Sequence, residues 1–176
     1  ARLLCGAGLV AAGLWYAATP LMAAPRAVVQ EAVEPEVAVV AEGLTFPWAI
    51  GFLPDGSALV TERDSARVLQ ITAAGEMTEA GTVPGVEAGG EGGLLGLAVS
   101  PSFDTDHFVY LYRSTAEDNE IVRATFEGGT LGEPEVILDG IPHSGTRHNG
   151  GRLAFGPDGM LYAGAGDADN GGQAQD

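Results

Sequence analysis

His148 and Asp167 are the two residues of this chain best placed by type and spacing to do chemistry. A histidine with a free ring nitrogen works as a general base near neutral pH, because its ordinary pKa is about 6.5. A carboxylate on the other ring nitrogen fixes the tautomer and the ring orientation. Between them run Gly150-Gly151-Arg152-Leu153-Ala154-Phe155, the turn Gly156-Pro157-Asp158-Gly159, and Met160-Leu161-Tyr162. Pro presets φ, Asp bonds locally to the backbone and Gly tolerates positive φ, so this stretch predicts an antiparallel hairpin. With Gly156 to Gly159 as the four turn residues, Leu153 faces Tyr162 and His148 faces Asp167. Facing residues have Cβ atoms roughly 5 Å apart. The pairing requires the ladder to keep its register past Gly150 and Gly151, and glycines in strands mark bulges.

The elements that must position the pair recur along the chain. Pro47 to Leu53, the turn Pro54-Asp55-Gly56 and Ala58 to Glu62 make a first unit. Gly92 to Val99, the turn around Pro101 and Phe108 to Tyr112 make a second, and the His148 hairpin is the third. Each of the first two is followed by a further strand pair, through Arg67 to Ile71 and through Glu120 to Ala124 with Val136 to Leu138. Four short strands per roughly 45–50 residues is the period of β-propeller blades. The predicted class is all-β, with about three blades. Thr45 and Asp64 occupy the places of His148 and Asp167 in the first unit, and Gly92 occupies that of His148 in the second. Blade architecture therefore does not demand the pair.

Composition narrows the function. The chain has 176 residues, 27 of them Gly, and a formal net charge of −16 with eight Arg and no Lys. Nucleic acid is excluded as a partner, since neutralising phosphates needs a basic face. Leu3 to Ala24 is almost wholly apolar behind Arg2, so residues 1–26 read as a signal peptide, with an uncleaved anchor as the alternative. Residues 27–37 read as an acidic linker and 38–176 as the propeller segment, with no membrane insertion of the mature domain. Cys5 is the only cysteine and lies in the leader, which leaves no disulfide or thiolate site in the domain. Glu91, in Gly89-Gly90-Glu91-Gly92-Gly93, enters the second unit nearly where His148 enters the third, and equivalent propeller loops share one end of the channel. Asp167-Ala168-Asp169-Asn170-Gly171-Gly172 fails the EF-hand pattern, and no metal ligand set is assigned. His107 lies in a polar turn beside Asp104 and Asp106, and His143 is a further candidate to flank the same cleft.

The segments Leu44-Thr45-Phe46-Pro47-Trp48, Leu53-Pro54-Asp55-Gly56, Gly90-Glu91-Gly92-Gly93-Leu94-Leu95-Gly96 and Arg147-His148-Asn149-Gly150-Gly151-Arg152-Leu153 through Gly166-Asp167 resemble the soluble pyrroloquinoline-quinone (PQQ) dependent aldose, glucose and sorbosone dehydrogenases. The resemblance implies an exported, periplasmic or secreted six-bladed β-propeller, of which this chain is an N-terminal fragment. It implies that His148 takes the proton of a sugar's anomeric hydroxyl, that Asp167 orients it, and that hydride passes to PQQ to give a lactone. It places Glu91 and Gln175 near the sugar. It also implies calcium, an external electron acceptor, and cofactor-binding residues beyond Asp176, so the fragment alone is expected to be inactive. The competing expectations are a non-catalytic propeller that binds protein or glycan and a metal-dependent lactonase propeller.

Overall fold

The computed structural model describes residues 37–143 and 146–172. The chain divides into two units at Val37/Ala38, and the second is the all-β body described here. Gln175 and the apolar stretch Leu3 to Ala24 lie outside the described residues.

The first blade is a four-stranded antiparallel sheet in chain order: β1 (Pro47–Phe52), β2 (Ala58–Glu62), β3 (Arg67–Ile71) and β4 (Met77–Thr82). The second contains β5 (Leu94–Val99), β6 (Phe108–Ser114) and β7 (Asn119–Glu127). On the far edge of β7 lie a two-residue excursion, β8 (Thr130–Leu131), and the fourth blade strand, β9 (Glu135–Ile141). A single helical turn, α1 (Phe103–Asp106), joins β5 to β6 where the other units have Pro-Asp-Gly. The third unit is the hairpin β10 (Gly150–Phe155) and β11 (Leu161–Ala165). The described residues thus form two blades and the first hairpin of a third.

Blade 2 is sandwiched, which explains its near-continuous apolar sequence. Leu94, Leu97, Val109, Leu111 and Val122 face blade 1 and pack with Leu59 and Val68. Leu95, Ala98, Tyr112 and Ile121 face blade 3 and pack with Leu153. Strict alternation would put Leu94 and Leu97 on opposite faces. The register shift between them restores both to one face, as a β-bulge does. The same irregularity lies between Pro47 and Ala49 in β1 and between Gly150 and Arg152 in β10. All three innermost strands therefore bend at the same place, just after the loops that carry Thr45, Glu91 and His148.

Glu62 shows what holds blade 1's equivalent loop. Its side chain is buried, yet it accepts hydrogen bonds from the Thr45 N–H at 2.7 Å, from Ser65 Oγ at 2.7 Å, and from Arg67 Nε and Nη2 at 2.9 and 2.6 Å. Burial alone would raise this carboxyl. The hydrogen bonds from Thr45, Ser65 and Arg67, with the Arg67 charge, outweigh burial and hold it below the ordinary range. A lowered folded value means that its stabilisation is present above the ordinary 4.5 and is lost as pH falls through the folded value. Glu62→Ala takes the shared acceptor from donors that are themselves only partly buried, and is expected to destabilise the protein by about 2 kcal/mol, read by urea unfolding at pH 7. A cost near zero would mean that water already satisfies these donors.

Candidate active site

The hairpin that carries the pair departs from the expected ladder twice. The Gly156 N–H bonds to the Met160 carbonyl, and the Gly159 N–H bonds to the Gly156 carbonyl. This is a turn at Gly156–Gly159 extended by one residue, with Gly159 at φ +78°. Leu153 consequently faces Ala163, and Tyr162 faces Ala154, which corrects the expected Leu153–Tyr162 pairing. The bulge at Gly151, φ +105°, then restores the expected register, so that Gly150 pairs with Ala165. The two one-residue shifts cancel, and His148 arrives opposite Asp167.

His148 Nδ1 lies 2.7 Å from Asp167 Oδ1. Asp167 is itself anchored by its own turn: Oδ1 accepts the Asp169 N–H at 3.1 Å, and its carbonyl accepts the Asn170 N–H at 2.8 Å. The hydrogen bond to Asp167 and then its charge raise the His148 pKa; desolvation opposes them, and Glu91 and Asp169 add still smaller upward contributions. A neutral ring donating Nδ1–H to Asp167 leaves Nε2 as the proton acceptor. The side chain is half exposed.

Glu91 comes to the same place from blade 2. Its Oε2 accepts the His148 N–H at 2.8 Å, while its own N–H donates to the Thr146 carbonyl at 2.8 Å. One Glu91 oxygen is therefore engaged in holding the His148 loop. His107 is elsewhere: it caps α1, at the other end of β5 from Glu91, with its ring edge-on to Phe103. In blade 1 the residues in the places of the pair do not meet. Thr45 donates its N–H to Glu62, and Asp64 accepts from Arg63 Nε at 2.6 Å. The same hairpin scaffold carries different chemistry in different blades.

Sequence reasoning did not single out the buried polar residues behind His148. Tyr112 Oη donates to the Asn149 carbonyl at 2.9 Å, and Asn119 Nδ2 reaches Asn149 Oδ1 at 3.4 Å. Ser114 Oγ donates to Asn119 Oδ1 at 2.7 Å. Asn and Ser near turns read as solvated loop residues, so no sequence signal marks these as interior. An open groove of about 510 Å³ lies on blade 1, lined by Val40, Leu44, Ile50, Phe52, Val60 and Ile71 among others, but none of its lining residues is titratable.

Arginine placement tests how far these residues fit an anionic quinone. Arg63, Arg67, Arg113 and Arg123 are ion-paired with carboxylates, and Arg152 stacks over Trp48 at 4.6 Å. The charged groups acting on His148 are the acidic Asp167, Glu91 and Asp169. The described residues fit the proton-transfer half of an oxidation, and no cationic cluster for a tricarboxylate is found among them. Among them, too, no group of three His, Cys, Asp or Glu side chains is placed to hold a metal.

A β-propeller with a histidine–carboxylate pair at the mouth of an inner strand is the class that this fold and site define. The profile of the Glucose / Sorbosone dehydrogenase family matches residues 44–176, and the chain belongs to that family. The PQQ-bound structure of an aldose sugar dehydrogenase from Streptomyces coelicolor is 48% identical and superposes with a TM-score of 0.76, over 80% of this chain and 43% of that one. Quinoprotein glucose dehydrogenase B of Acinetobacter calcoaceticus is 30% identical, over 73% of this chain and 30% of its own length. An aldose sugar dehydrogenase of Escherichia coli is also 30% identical, over 80% and 40%. The chain thus spans well under half the length of these relatives.

Proposed function

We propose that the whole protein oxidises the anomeric carbon of an aldose to the lactone, with PQQ as the two-electron acceptor. The observation that carries this reading is the His148–Asp167 contact at 2.7 Å, on a hairpin that lies within the family match. His148 Nε2 takes the proton of the anomeric hydroxyl, and Asp167 holds the ring and stabilises the imidazolium that forms. The bound quinone supplies the hydride acceptor, and an external acceptor regenerates it. Glu91 presents its second carboxylate oxygen to sugar hydroxyls, and Gln175 adds an amide nearby. Calcium accompanies the quinone on the family resemblance alone.

We further place the mature protein in the periplasm or outside the cell, with residues 1–26 as the leader and 27–37 as a linker. No helix among the described residues is long and apolar enough to cross a membrane.

The test is reconstitution of the full-length apoprotein with PQQ and calcium, followed by dye-linked oxidation across an aldose panel. Oxidation that depends on added PQQ is expected. Silence across the panel, with PQQ shown to bind, would favour a glycan- or protein-binding propeller.

A further inference from the structure

His148 has a φ of +54°, a left-handed conformation that a residue with a Cβ adopts only where its surroundings hold it. Glu91 holds its N–H from one side. From the other, the next residue is locked into the interior: Asn149 is 1% exposed, although it belongs to the loop that carries the exposed His148 ring. Its carbonyl accepts the hydroxyl of Tyr112, which is fully buried and whose pKa burial pushes up to about 12. Its side-chain oxygen accepts from Asn119, which is held in turn by Ser114 Oγ and donates to the Pro142 carbonyl at 3.1 Å. Tyr112, Ser114 and Asn119 all lie at the paired ends of β6 and β7, in blade 2.

Asn149 Nδ2 is buried and meets no acceptor among the described residues. An unpaired buried amide is costly, and an apolar side chain of similar volume would avoid that cost. What Asn149 contributes is therefore directional. It ties the peptide after His148 to a rigid hairpin of the neighbouring blade, where packing alone would let it slide.

We infer that Tyr112, Asn149, Asn119 and Ser114 form a positioning relay through which blade 2 sets the height and tilt of the His148 ring over Asp167. The hydrogen bonds of these four side chains run to one another, to the Asn149 carbonyl and to Pro142, while the His148 ring bonds to Asp167. The inference rests on the reading of His148 as the base for its catalytic consequence, while its geometric content stands apart from that reading.

The experiment uses the full-length protein with Tyr112→Phe, which keeps the ring and removes one hydrogen bond. Val109→Ala serves as a control that opens the core on the opposite face of β6. Two quantities are read: kcat and KM of the PQQ-loaded enzyme, and the titration of the His148 ring nitrogens by NMR in the apoprotein, assigned with His148→Ala. Tyr112→Phe is expected to lower kcat by roughly tenfold at little-changed KM. It is also expected to move the His148 midpoint down toward the ordinary value, because the contact with Asp167 loosens. Val109→Ala is expected to move neither, even where it lowers the melting temperature more. A Tyr112→Phe variant with the wild-type His148 midpoint overturns the relay. A shifted midpoint with unchanged kcat upholds the relay and counts against His148 as the base.

Discussion

His148→Ala is expected to lower kcat by about 10²–10⁴-fold while leaving PQQ affinity and the fold unchanged. The side chain is half exposed and contributes little packing, so its loss reports on proton transfer alone. Steady-state kinetics with a quinone titration of the same preparation measure both. Near-normal turnover would remove His148 as the base.

The pH dependence carries a sign that distinguishes a base from a bystander. Only neutral imidazole accepts the substrate proton. Asp167, through its hydrogen bond and then its charge, raises the His148 pKa above 6.5, so the ring keeps its own proton to higher pH. Activity is therefore expected to rise with pH through a midpoint above 6.5, and to be lost as pH falls below it. Asp167→Asn removes the charge and leaves at most a neutral hydrogen bond, and is expected to move that midpoint down while lowering kcat, since an amide also permits the wrong ring tautomer. A midpoint that ignores Asp167 would assign the acid limb to another group.

Gly166→Ala is expected to cost about 10²-fold in kcat, the scale of a displacement near 1 Å at the reacting group. A Cβ at this position would collide with the backbone carbonyl of His148. The clash is with main chain, so no rotamer change relieves it. The His148 loop must move away from β11, and Asp167, the next residue after Gly166, moves with the other side of the gap. The cores around Leu59 and Leu111 lie elsewhere, so the melting temperature is expected to change far less than the rate. Wild-type turnover in this variant would mean that the 2.7 Å contact is not required.

The register of the His148 hairpin shows how much could be read ahead of the structure. Turn chemistry located the reversal at Gly156–Gly159, and period-two patterning located the strands. Neither revealed that Met160 belongs to the loop, because a three-residue connection and a four-residue turn share the same Pro-Asp-Gly signature. Gly151 was legible as a glycine in a strand, but whether it pairs or bulges depends on Leu95 of the neighbouring blade, against which a Cβ at Gly151 would press at 2.8 Å. Glu91 was legible as a charged residue at an equivalent loop. Its bond to the His148 N–H was not, since the two lie 57 residues apart.

The amino-acid sequence by itself determined the all-β class, the blade-like repeat, the hairpins and the residues equipped for proton transfer. Local rules suffice there: turn residues restrict φ, alternation sorts faces, and residue type sets the available pKa. Only the tertiary structure decided that His148 and Asp167 touch, that Glu91 grips the loop from blade 2, and that Tyr112 and Asn119 reach it from inside. Those outcomes depend on how one twisted sheet packs on the next. A single bulged residue reverses which side chains face inward, and no local pattern counts such residues across 50 positions or more of intervening chain.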